Sequence, residues 1–224
     1  MPIVSSGAAS YFVTVPVGTT PVTVAEFKAW AKITNTAEDA LITLILQRVT
    51  EQAELYTKRD FINKTYVTYR DIFGDGGENP SFAGYPAMNY AMSLNTPISL
   101  RRSQLQSVTS VKYYSDNVLT TLSSAAYYII RKQDFGMIQS VDGAAWPLVD
   151  DRNQAVEITF VAGYGATAAS VPPSLRSALL AHANQVYANR GDCDVDSPDS
   201  CSCSLAPSAA KSAYNQFRII DFVG

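Results

Sequence analysis

Apolar residues recur at helical spacing in segments from Thr23 to Arg59, in short strand-like segments between Thr65 and about residue 163, and at helical spacing again after Pro172 and Pro173. A chain ordered in this way is expected to pack helices drawn from both ends of the sequence together, with a β region inserted between them. The expected class is therefore α+β: a helical bundle from N- and C-terminal helices, an inserted antiparallel β region and an extended C-terminal tail. The boundaries read as an N-terminal arm over 1–20, the bundle over 21–63 and 172–191, the β insertion over 64–171, a linker over 192–204 and the tail over 205–224.

Thr23 with Glu26 three residues on is a capping box, which satisfies two orphan amides and predicts a helix over 23–32. Val24, Phe27 and either Trp30 or Ala31 supply its buried stripe. A second start at Thr36, with Asp39 three residues later, opens the longest helix, over 37–59. Leu41, Leu44, Ile45, Val49, Gln52, Ala53 and Tyr56 trace its inner face, leaving Gln47, Arg48, Glu51, Glu54 and Lys58 largely outside. A third helix, over 174–190, follows the two prolines, which pre-set the backbone for a helix start. Leu175, Ala178, Leu179, His182 and Val186 share its inner face, so the only histidine reads as a core or interface residue.

Strand chemistry fills the middle of the chain. TYVTYRDIF from Thr65, SVTSVKYYS over 107–115, VLTTL from Val118, and Tyr127–Ile130, Gly136–Gln139 and Ala155–Val161 are short, β-rich and divided by turn residues. Asp116 and Asn117 tolerate the positive φ of a tight hairpin turn. Residues 74–96, with four glycines and two prolines, have no sustained period and read as an irregular loop. Gly163-Tyr164-Gly165 lacks both a Walker lysine and a GxGxxG spacing, so it reads as a strand-end turn.

Composition narrows the function. A net charge of −3 argues against a protein that grips nucleic acid, since phosphate neutralisation needs clustered Lys and Arg. The adjacent basic pair Arg101 and Arg102 reads as a solvated turn, and Asp150-Asp151 as solvated loop charge. The apolar runs are too short to span a bilayer, and MPIVSSGAAS lacks the basic start and apolar stretch of a secretory signal, so the protein is expected to stay in the cytoplasm where it is made. Cys193, Cys201 and Cys203 sit in a Ser- and Asp-rich stretch without zinc-ligand spacing. Asp192, Asp194 and Asp196 mimic the start of a calcium loop, but Ser197 stands where its glycine belongs and Cys203 where its glutamate belongs. A polar linker without metal or cofactor is the expectation. No nucleophile elbow, zinc helix or dinucleotide fingerprint occurs, and an enzyme is not expected.

The order of the pieces resembles the head-tail connector, or adaptor, family of long-tailed bacteriophages. PVTVAEFKAWAKI, EDALITLILQRVTEQAELYTKRDFINKTY, SVTSVKYYSDNVLTTLSSAAYYI, GMI followed by Trp146-Pro147, and VEITFVAGYGATAASVPPSLRSALLAHANQVYANRG carry the resemblance. It covers roughly residues 21–73 and 97–191; the stretch 74–96 and everything after 191 depart from the pattern. The resemblance implies a protein of the virion neck, with about a dozen copies in a head-to-tail ring. That ring would dock under the portal, present a surface to a stopper or tail-completion protein, and let DNA pass through its lumen without specific binding. Membrane contact is not implied. On that reading Arg48, Glu51 and Lys58 on the outer side of the long helix face the next subunit. Tyr214, Phe217, Ile219, Ile220, Phe222 and Val223 form a tail for portal docking, or a segment folded back on its own subunit. A carbohydrate- or ligand-binding β module with helical flanks, drawing on thirteen tyrosines and two tryptophans, is the alternative.

Overall fold

The computed structural model describes residues 10–15, 19–73, 96–189 and 206–219. The irregular loop other than Thr96, the Cys-containing linker and Ile220, Phe222 and Val223 lie outside the described residues. The chain divides into two compact units, a β unit of residues 1–16 and 63–163 and a helical unit of residues 17–62 and 164–224.

In the helical unit, α1 (Val24–Ala31) starts at the capping box: the Glu26 amide donates to Thr23 Oγ1 at 3.2 Å and the Thr23 amide to Glu26 Oε2 at 2.8 Å. Lys32 ends it in a left-handed conformation at φ 56°. The second helix, α2 (Asp39–Thr57), begins later than Thr36 suggests. The Asp39 amide closes a turn onto the Thr36 carbonyl, so Thr36 shapes the entry and Glu38 occupies the cap position. A Lys28–Asp39 ion pair at 2.9 Å ties α1 to the first turn of α2. Helix α3 (Pro173–Ala188) has Pro173 at its first turn, where its missing N–H costs nothing. It buries Leu175, Ala178, Leu179, His182, Ala183 and Val186. Arg176 reaches back to Glu26, and Phe27 meets Tyr187 edge-on with centroids 5.6 Å apart.

A fourth helix, α4 (Ser208–Phe217), replaces the first part of the extended tail. Ala210, Ala213, Tyr214 and Phe217 stand at i, i+3, i+4 and i+7, which is a helical stripe, and all four join the core of the helical unit. Pro207 at the cap position lacks an N–H and has the extended conformation of a helix entry.

The β unit holds two antiparallel sheets around one core. The larger has the order β1-β2-β8-β4-β5, with β1 (Ser10–Val15), β2 (Lys64–Arg70), β4 (Leu105–Ser115), β5 (Val118–Thr121) and β8 (Val156–Ala162). The smaller has the order β3-β7-β6, with β3 (Ile98–Leu100), β6 (Tyr127–Arg131) and β7 (Gly136–Ser140). β1, from the stretch read as an arm, and β3 are additions to the strands expected from sequence. Val156, Ile158, Phe160 and Ala162 alternate inward along β8, which is paired on both sides. Trp146 stacks on Phe73 at 5.0 Å and donates its indole N–H to the Thr96 carbonyl at 3.0 Å.

The β4–β5 hairpin turns through Asp116 and Asn117 at φ 54° and 62°, as the pair of turn residues predicts. Asp150 is not loose loop charge: its carboxylate accepts both turn amides, from Asp116 at 2.9 Å and Asn117 at 2.8 Å. Arg102 is likewise no free turn charge but half-buried. Its guanidinium lies 4.6 Å over the Tyr66 ring and donates to the Tyr66 hydroxyl at 3.2 Å. Gly163 has φ 144°, and a Cβ there would stand 2.7 Å from Asn63 Cα, so the turn after β8 requires glycine.

Candidate assembly surfaces

Helix α2 presents two faces. Ile42, Ile45, Leu46, Val49, Ala53 and Thr57 are buried against the rest of the helical unit. Leu41, Leu44 and Leu55 are 39%, 62% and 73% exposed. This corrects the face read from sequence, because Leu41 and Leu44 belong outside and Ile42 and Leu46 inside. ALITLIL is apolar at so many successive positions that two rotations of the helix satisfy a helical period, and only the partner surface decides between them.

Arg48, Glu51 and Lys58 are all exposed and share the outer side with the three leucines. Among the described residues neither Arg48 nor Glu51 forms an ion pair. The expected inter-subunit residues therefore stand together on a face that the helical unit leaves uncovered. The leucines interleaved with them were not singled out for that face, although their spacing of three and four to the charges was the available signal.

The docking residues separate into two groups. Tyr214 is 2% exposed, with its hydroxyl 3.4 Å from His182 Nδ1 and its ring 6.5 Å from that of Tyr56. Burial raises the Tyr214 pKa far above its ordinary value, so the phenol stays neutral. Phe217 packs partly into the same core, and its carbonyl accepts from Arg59 Nε. The Ile219 amide donates to the Thr57 carbonyl at 3.0 Å, just past the end of α2. Up to Ile219, then, the segment is folded back on its own unit, and Tyr214 has no surface to offer a partner.

His182 is 3% exposed, and among the described residues its Nε2 has no hydrogen-bond partner. Burial, with the charge of Arg48 adding to it, lowers its pKa and keeps the imidazole neutral. Among the described residues its hydrogen-bond partner is the Tyr214 hydroxyl, a neutral phenol. Among the described residues no group of acidic, His or Cys side chains is placed to hold a metal ion, and no helix is long and apolar enough to cross a membrane. Asp192, Asp194, Asp196 and the three cysteines lie outside the described residues.

The fold has solved relatives. A chain from the neck of an empty gene transfer agent particle, computed with C6 symmetry, superposes with a TM-score of 0.69 at 19% identity, covering 96% of this chain and 98% of that one. A chain from the virion of the native gene transfer agent particle gives 0.68 at 20% identity, with 96% and 97% covered. One from the neck of the native particle, computed with C12 symmetry, gives 0.66 at 18% identity, with 96% and 98% covered. At these identities the likeness establishes a shared fold. No curated protein sequence matches the chain. Residues 21–132 match the family described as phage gp6-like head-tail connector protein, which is half of the sequence and takes in α1, α2 and the strands from β2 to β6. This chain belongs to the phage gp6-like head-tail connector family.

Proposed function

We propose that the protein is one subunit of a ring of about a dozen copies in the neck of a tailed phage or phage-like particle, docked under the portal and serving as an attachment surface for the stopper or tail. The observation that carries this reading is the match of the fold over 96% of the chain to neck chains computed with C6 and C12 symmetry, in a family of head-tail connectors. The uncovered face of α2 supports it, because a subunit of an obligate ring needs a surface that its own fold leaves open. Arg48, Glu51 and Lys58 would meet the next subunit there, steering and registering the contact more than supplying its energy.

Docking to the portal falls to the end of the chain beyond Ile219, where Ile220, Phe222 and Val223 supply apolar side chains. Tyr214 and Phe217 act as its root in the helical unit. A net charge of −3 suits a lumen that passes DNA, since a channel that neutralised many phosphates would retain what it must release. Co-sedimentation with portal-bearing heads tests the reading. The full chain is expected to travel with the heads, and a chain ending at Ile219 to fold normally and stay behind. A full chain that never associates with portal-bearing heads contradicts the proposal.

A further inference from the structure

Along the outer side of α2 the exposed residues Leu41, Leu44, Arg48, Glu51 and Leu55 follow one another at alternating steps of three and four, and Lys58 stands just past the helix in its left-handed cap. That is the a/d spacing of a coiled-coil seam. At 100° per residue the seam lies about 145° round the helix from the buried face, so it is a second, separate stripe.

From Leu44 through Arg48 and Glu51 to Leu55 the order of chemistries is self-complementary on reversal. Laid antiparallel on a second copy about a centre between Val49 and Thr50, Leu44 meets the other copy's Leu55 and Arg48 meets its Glu51; each contact is then repeated by symmetry. These are the a-to-d layers that an antiparallel helix pair forms. A parallel pairing would set Arg48 against Arg48 and Glu51 against Glu51, so charge selects the antiparallel arrangement. We infer that free copies of this protein pair through α2 in an antiparallel, two-fold contact centred between Val49 and Thr50. The occupant of the leucine stripe is a second copy because the stripe supplies the complement to its own apolar and charged positions.

A two-fold contact is isologous and does not repeat around a cyclic ring. The pair is therefore a form of the free subunit, covering Leu44 and Leu55 until the same face is taken up by the ring. The inference rests on this helix face alone, and its failure would leave the portal-binding assay untouched.

The test is a charge-swap cycle on the full chain, read by light scattering across a concentration series, with circular dichroism to check folding. Wild type is expected to show a concentration-dependent monomer–dimer equilibrium. Arg48→Glu and Glu51→Arg singly place like charges opposite one another twice and are expected to weaken pairing about tenfold or more. The double variant R48E/E51R restores both pairs and is expected to recover most of the wild-type affinity. Leu55→Glu is expected to abolish pairing while leaving the helical content unchanged. A wild-type chain that is monomeric up to about 0.5 mM overturns the inference, as does a double variant that pairs no better than the singles.

Discussion

The Tyr214 hydroxyl stands 3.4 Å from Nδ1 of His182, deep in the helical unit, so a residue near the end of the chain closes the core begun by α1 and α2. Truncating that ring should leave a cavity between α2, α3 and α4. Tyr214→Ala is expected to cost about 3–5 kcal/mol in urea unfolding, the range for removing a buried aromatic side chain. Tyr214→Phe, which keeps the ring and loses one long hydrogen bond, should cost about 1 kcal/mol or less. Removal of residues 205–224 should behave like the alanine variant or worse. A truncated protein that melts with the wild type would mean that α4 contributes nothing to the core.

The rotation of α2 can be read from two substitutions. Ile42 is fully buried, and Ile42→Ala is expected to destabilise by about 2–5 kcal/mol. Leu44→Ala, at a position 62% exposed, should stay within about 0.5 kcal/mol of wild type in the unassembled chain. Equal losses at the two positions would show that the helix is turned otherwise.

These two cases mark where the sequence could be read and where it could not. The capping box at Thr23 and Glu26, the paired prolines before α3, the Asp116-Asn117 turn and the alternation of β8 are local devices whose chemistry works through near neighbours, and each has its expected form. The inner face of α2 depends on which neighbour arrives, and a nearly continuous apolar run offers two answers. α4 carried a legible stripe at Ala210, Ala213, Tyr214 and Phe217, but the β-formers after it and the polar linker before it drew the reading toward an extended tail. Asp150 could not be paired with its turn at all, because the partner amides lie 33 and 34 residues away.

His182 gives the helical unit a pH dependence of known sign. Its folded pKa is lowered from the ordinary 6.5, first by burial and then by Arg48, so above that value the ring is neutral in both folded and unfolded chains and contributes no slope. Below it the unfolded chain takes up the proton first. Stability should therefore fall as pH drops from about 6.5 toward the lower folded pKa and level off beneath it. Urea midpoints measured between about pH 7.5 and 5 should show this loss, and His182→Gln, which does not titrate there, should remove that part of the slope. A wild-type midpoint that rises on acidification would contradict the assignment.

Asp150 should matter to one hairpin and little else. In Asp150→Ala the amides of Asp116 and Asn117 lose a charged acceptor, with an expected cost of about 1–2 kcal/mol at this exposed site. Hydrogen exchange at those two amides should accelerate about tenfold while the β2–β8 ladder keeps its protection. Unchanged exchange at Asp116 and Asn117 would show that the carboxylate does not hold the turn.

The central claim is that this chain builds a ring at the portal vertex. Portal-bearing heads mixed with the purified full chain, with the vertex reconstructed by electron microscopy without imposed symmetry, measure it directly. The account predicts added density beneath the portal in the form of a closed ring of about a dozen copies, with α2 of each subunit at a subunit boundary. A vertex that stays bare, or density with α2 facing solvent in every copy, would contradict it.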